Sequence, residues 1–222
     1  MGRRTITQKS NTLDGTPKPN RQSKNQVKSK GEKMTSNNPS TETDFDPIRD
    51  NGYYLFMDNF NYQSCEKAIR WIITENLRKT DRKEFLTLVI CSPGGLVSTC
   101  FALVDTMKGS AIPIRTVAIG QIASCGFIAF IAGEKGHRIL TPNTSILSHQ
   151  YSAGSSGKEH DLYASQKGFE LTSERILKHY MKCIDGMTEK KIREYLLPAH
   201  DVWLSAKQAK KLKCCDEVKE VY

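Results

Sequence analysis

Apolar residues are sparse along the first fifty positions and then fall into alternating runs with two different periods. "YYLFM" (53–57) predicts a short strand, and "SCEKAIRWIITENLRK" (64–79) predicts a helix with Ser64 as its N-cap. In that helix Ala68, Ile69, Ile72 and Ile73 recur at helical spacing on one stripe. "FLTLVICS" (85–92) is an almost unbroken apolar run, the texture of a strand buried on both faces. The glycines of "PGG" (93–95) then turn the chain sharply into a helix over 96–108.

The same alternation continues. A strand is predicted at 115–120, a short buried helix at 124–133, and two short strands over 137–150 broken at Pro142-Asn143. A flexible loop at 152–161 precedes a long amphipathic helix at 169–184. A short helix beginning near Thr188 and another at 205–213 complete the pattern. Strands alternating with helices predict an α/β fold with a parallel sheet and right-handed crossovers.

Composition changes the picture at the N-terminus. Residues 1–45 are rich in Ser, Thr, Asn, Gln, Lys and Pro, with Phe45 the sole aromatic. Such a segment cannot bury enough apolar surface to offset its ordering entropy, so it is read as a disordered basic tail ahead of one domain at 46–222. Most of the net charge of +9 lies there: residues 1–33 carry nine Lys and Arg against Asp14 and Glu32. The remainder is nearly neutral, which argues against a nucleic-acid-binding core. No run of 18 apolar residues suggests a membrane span, and the N-terminus lacks the apolar stretch of a secretory signal. Seven cysteines, an odd number without a CxxC pair, read as free thiols in a reducing, cytoplasmic setting, with neither disulfides nor a metal site.

Turns at the C-terminal ends of strands carry function in such folds, because backbone amides there are free and point outward. Two stand out, "SPGG" and "GQIASCGFIAFIAG" (120–133). Each has a bland reading: a tight turn, and a small residue packing helix on strand. Ser124 also lies where a helix begins, a position that favours negative charge. A nucleophilic serine needs a base and an orienting acid. Of the five histidines, His137, His160, His179 and His200 sit in polar contexts, whereas His149 follows the apolar strand "SILSH". Asp201 precedes another apolar element in "AHDVWLSA". By themselves these residues permit a Ser–His–Asp triad and equally permit a strand-end histidine and a capping aspartate.

Taken in order, "SPGG", "GQIASCG", "SHQ" and "HDVWLSAKQA" resemble the ClpP family of serine peptidases (peptidase family S14), whose pattern runs SPGG, GQAASMG, IHQP and RDxFLSAxEA. The resemblance covers about residues 53–221. It implies a ClpP/crotonase-like curved α/β sheet with a protruding helix–strand handle, placed at about 150–185. It implies Ser124 as nucleophile, His149 as general base, Asp201 as orienting acid, and the backbone N–H groups of Gly95 and Cys125 as oxyanion hole. It further implies two stacked seven-membered rings, a tetradecamer, which cleave unfolded polypeptides fed by a separate AAA+ ATPase. ATP would be used by that partner alone, since this chain has no P-loop and needs no cofactor of its own. In such a family the tail at 1–45 would be a propeptide removed by the active site. No nucleic-acid or membrane partner is expected. Two other readings stay open: a crotonase-like acyl-CoA enzyme, and a non-catalytic subunit modulating an active partner in a mixed ring.

The chain departs from the family pattern in places. Cys125 stands for the usual Met, Tyr151 for the proline of HQP, and His200 for the arginine before the aspartate. Lys213 or Cys214 stands where a glycine would ease the stop of the last helix.

Overall fold

The structure, a computed structural model, describes residues 46–221, so the expected disordered tail and propeptide lie outside the described residues. A short helix α1 (Pro47–Asp50) leads into β1 (Tyr53–Phe56), α2 (Tyr62–Leu77), β2 (Leu86–Ser92) and α3 (Val97–Gly109). Next come β3 (Ile114–Ala123), α4 (Cys125–Ile131), β4 (Arg138–Leu140) and β5 (Ser145–Ser148). The long α5 (Glu159–Cys183) and α6 (Glu189–Tyr195) follow, then β6 (Val202–Ser205), α7 (Ala206–Lys211) and β7 (Glu217–Val218). The fold is mixed α/β around a single seven-stranded sheet. Among the described residues no helix is long and apolar enough to cross a membrane.

Strands β1, β2, β3, β4 and β7 lie side by side and run parallel. Leu86, Leu88 and Ile90 of β2 face the helices and join the main core, while Val89 on the opposite face packs with Val117 and Ile139. That explains the unbroken apolar run of β2. The long β3 divides its edge: residues 116–118 pair with β4, and residues 121–123 pair with β5. Gly120, at φ +62°, stands between these halves. The second half pairs with β5 and ends at Ala123, one residue before Ser124.

Several expectations change. Helix α2 starts at Tyr62, and its cap is Asn61 rather than Ser64. The Ser64 N–H donates to Asn61 Oδ1 at 2.9 Å and the Asn61 N–H donates to Ser64 Oγ at 3.2 Å. Ser64 is thus the third helical residue of a reciprocal capping box. Helix α5 begins ten residues ahead of the predicted 169, and the flexible loop is correspondingly shorter. Its first turns are exposed, so they carry no apolar period to read. The short strands β6 and β7 were not foreseen, and β6 pairs antiparallel with β5, so the sheet is not wholly parallel.

His179 is a further correction. It is buried, not in a solvent-like setting, and its Nε2 lies 2.9 Å from the Ile128 carbonyl. Burial brings its pKa down to about 4, so it is neutral at physiological pH and Nε2–H donates that bond.

Two features fix the C-terminal segment. The buried Arg138 forms a bidentate pair with Asp216, through Nε to Oδ2 at 2.9 Å and Nη2 to Oδ1 at 2.7 Å. Its Nη1 donates to the Cys183 carbonyl at 2.7 Å. The other feature is the stop of α7. The Cys214 N–H donates to the Ala209 carbonyl and the Lys213 N–H to the Lys210 carbonyl, a Schellman closure. It forces Lys213 to φ +61°. Lys213→Gly is expected to raise stability by about 0.5–1 kcal/mol, the left-handed strain relieved less the entropy glycine adds to the unfolded chain. Urea unfolding checks it: an unchanged or lower midpoint would contradict the reading.

Candidate active site

Ser124 is the single residue between β3 and α4. Its N–H donates to the Leu147 carbonyl of β5 at 2.9 Å, and its carbonyl accepts from the Phe127 and Ile128 N–H groups of α4. Held from both sides, it adopts φ +53° and ψ −117°. A side-chain-bearing residue in such a region costs about 1–3 kcal/mol and persists only where its surroundings over-determine it. The sharp turn leaves the serine half-buried between a buried strand and a helix whose seven residues are all buried.

The "SPGG" turn lies against this serine. A Cβ built on Gly94 would come within 2.7 Å of Ser124 Cβ, so only glycine lets the two segments approach. A Cβ on Gly95 would come within 2.3 Å of the Phe60 carbonyl oxygen. Gly94 and Gly95 also hold φ of +104° and +147°, open to glycine. Phe60 bonds to Gly94 and Leu96 on either side of Gly95: its N–H donates to the Gly94 carbonyl, and its carbonyl accepts from Leu96. Alternation along this extended stretch turns the Gly95 peptide groups the opposite way, toward α4. There the Gly95 carbonyl accepts the Cys125 thiol at 3.3 Å. Neither the Gly95 nor the Cys125 N–H has an oxygen acceptor among the described residues.

His149 and Asp201 meet through strand register. In the antiparallel β5–β6 pair Ser145 faces Ser205 and Ser148 faces Val202, so one further step sets His149 opposite Asp201. In the parallel β3–β5 pair Ala123 faces Leu147, which places Ser124 beside Ser148 and one residue from His149. The three residues therefore gather at one end of three adjacent chain segments. His149 is half-buried and Asp201 exposed. Among the described residues no ion pair within 4.0 Å joins His149 to Asp201, and no hydrogen bond joins Ser124 to His149. His200 is exposed beside Asp201.

The sequence matches the Clp protease family over residues 54–221. The chain belongs to the Clp protease family. It is thus a protease, a hydrolase, by descent.

Within this Clp protease, sequence reasoning passed over residues that brace the site. Ser148 is fully buried, and its hydroxyl donates to the Leu196 carbonyl at 2.6 Å beside the Tyr180 hydroxyl. Gln150 donates through Nε2 to the Leu197 and Pro198 carbonyls, both at 3.1 Å. These two flank His149 and tie it to the loop that leads into Asp201. Tyr151, in place of the family's proline, donates its hydroxyl to the Phe169 carbonyl of α5 at 2.7 Å. It also walls a cavity of about 270 Å³ with Phe169, Ile176, Leu177 and Leu197. The sequence "SILSHQY" carries no signal that could assign these partners, which lie in α5 and the loop at 196–198.

Proposed function

We propose that this chain is the peptidase subunit of a chambered, ring-shaped Clp protease, acting as a serine endopeptidase through Ser124, His149 and Asp201. The observation that carries the reading is the backbone of Ser124, forced into a left-handed conformation at a strand-to-helix turn with the diglycine loop packed against it. Strain of this kind at a half-buried serine supports a held nucleophile over a packing residue.

Ser124 Oγ attacks the scissile carbonyl while His149 takes its proton and later delivers it to the leaving amine. Asp201 holds the imidazole in the tautomer that can accept that proton. The Gly95 and Cys125 amides receive the oxyanion, each donor supplying about 3–4 kcal/mol in the transition state. The cavity walled by Tyr151 and Phe169, with Gln150, Ser173 and Arg193 also in its lining, begins beside the base and could take a substrate side chain next to the cleaved bond. Substrate closure brings His149 onto Ser124 and Asp201 onto His149, as catalytic hydrogen bonds tighten in the Michaelis complex.

Assembly follows from surface chemistry. Leu55, Met57, Tyr62, Ile73 and Leu77 are exposed on β1, α2 and the turn between them, and Leu162, Tyr163 and Leu171 along the projecting α5. Large apolar side chains left exposed together on one element favour protein contacts. We assign them to neighbours within a heptameric ring and between two stacked rings, with a cytoplasmic AAA+ ATPase supplying unfolded polypeptide and consuming the ATP. Native mass spectrometry with fluorogenic peptide hydrolysis on the same sample tests this. The expected result is a tetradecamer that cleaves a small peptide without ATP. An inert homo-oligomer would favour a non-catalytic ring subunit, and a monomer would refute the assembly.

A further inference from the structure

Behind the nucleophile the structure holds two thiols that nothing in the peptidase reaction uses. Cys125 follows Ser124 directly and starts α4, and Cys100 lies on α3, which packs against α4. Both are fully buried. Their contacts are specific. The Cys125 thiol donates to the Gly95 carbonyl at 3.3 Å, and the Cys100 thiol donates to the Cys125 carbonyl at 3.4 Å. Gly95 and Cys125 are the residues whose amides line the oxyanion hole in the reading above. Each thiol therefore braces the backbone of one of them. The resemblance makes methionine the usual residue at position 125, and a methionine could neither donate such a bond nor form a disulfide.

We propose that Cys100 and Cys125 are an oxidation site, where hydrogen peroxide joins them in a disulfide that unseats the oxyanion hole and a thiol reductant restores it. This rests on the peptidase reading for its effect on activity, though not for the bond itself. In the first step the Cys125 sulfur attacks one peroxide oxygen and the O–O bond breaks. The departing hydroxide takes the proton shed by the thiol, and Cys125 is left as a sulfenic acid. The Cys100 sulfur then displaces the sulfenic hydroxyl, so an S–S bond forms, an S–O bond breaks, and the Cys100 proton leaves with hydroxide as a second water. The two thiols lose two electrons and two protons, and peroxide is reduced to two waters. Forming the bond removes both S–H donors, so the Gly95 and Cys125 peptides lose the contacts that hold them.

The surroundings divide the roles. The Cys125 thiol lies below its ordinary pKa, first through its contact with the Cys100 side chain and then through the Gly95 amide and the Ser124 hydroxyl, with burial acting the other way. Burial pushes the Cys100 thiol well above its ordinary value. Cys125, directly beside the half-buried Ser124, is placed to be the sulfur that attacks peroxide, and Cys100, behind it on α3, the one that resolves it. Burial also selects the reagent: with both thiols fully buried, a small neutral oxidant is expected to reach them and a bulky maleimide is not. Cys91 is the one half-buried thiol among the seven.

The test uses the full-length assembled protein carrying Cys91→Ser, treated with hydrogen peroxide and then with dithiothreitol. Peptide mapping without reductant is expected to show a Cys100–Cys125 cross-link, and peptide hydrolysis is expected to fall about a hundredfold, the effect of losing one oxyanion donor. Dithiothreitol is expected to restore both. Adding Cys100→Ala is expected to make the loss irreversible under excess peroxide, since a second peroxide oxidises the unresolved sulfenic acid to sulfinic acid and leaves as water. A missing cross-link, a Cys65–Cys125 cross-link in its place, or reversible loss in the Cys100→Ala protein would overturn the proposal. A cross-link formed without loss of hydrolysis would overturn the switch. The map reads the bond even in a chain that hydrolyses nothing, so failure of the peptidase reading is told apart from failure of this one.

Discussion

Replacing Ser124 with alanine is expected to abolish peptide hydrolysis, a loss on the order of a millionfold in kcat for removal of a nucleophile that acts as a unit with its base. The fold should survive. Ser124 is half-buried, and the hydrogen bonds that hold its turn run through its backbone N–H and carbonyl, which alanine keeps. The substitution therefore removes the hydroxyl and leaves a void of one oxygen atom. Assembly by native mass spectrometry and the urea midpoint should match the parent protein within about 1 kcal/mol. Turnover that persists at a hundredth of the parent rate or more would exclude Ser124 as nucleophile. Loss of folding along with activity would show the hydroxyl to be structural.

The second large effect concerns stability. Arg138→Ala is expected to destabilise the chain by about 3–5 kcal/mol, because it strands the Asp216 carboxylate in a partly buried site. That is on the order of 10 °C in Tm for a domain of this size. Asp216 also accepts the Gly136 and Arg138 backbone N–H groups, so the loss loosens the attachment of β7 to β4 as well. Burial raises the Asp216 pKa, but the Arg138 hydrogen bonds and charge outweigh it and hold the carboxyl below its usual range. A depressed carboxylate stabilises the fold above its unfolded pKa of about 3.9, and that contribution is lost as pH falls through the lower folded value. The parent protein should therefore lose stability more steeply than Arg138→Ala below about pH 4. Urea midpoints measured between neutral and acid pH check this. Parallel curves, or a midpoint changed by less than about 1 kcal/mol, would contradict it.

What the sequence could disclose followed from which physical signals are local. The β2 strand and the turn at 93–95 were readable because a two-sided apolar run and a diglycine are visible within ten residues. The placement of Ser124 after a strand and before a helix was readable for the same reason. Its left-handed backbone was not, since serine carries no propensity for that conformation and the cause is tertiary: Leu147 on one side and α4 on the other. The early turns of α5 escaped because a helix that projects into solvent shows no apolar stripe. Strand β6 was missed because four residues with one buried side chain give no period. That omission also hid the register that sets Asp201 opposite His149. His179 was misjudged because its polar sequence neighbours point outward along α5 while its own ring turns in against Phe101 and the Ile128 carbonyl.

The account turns on Ser124 being an activated nucleophile, and covalent labelling reads that most directly. A fluorophosphonate applied to the assembled protein, followed by peptide mapping, is expected to mark Ser124 alone, with labelling strongly slowed in His149→Ala. A label on another residue, or none on Ser124 in a folded and assembled sample, would contradict the account.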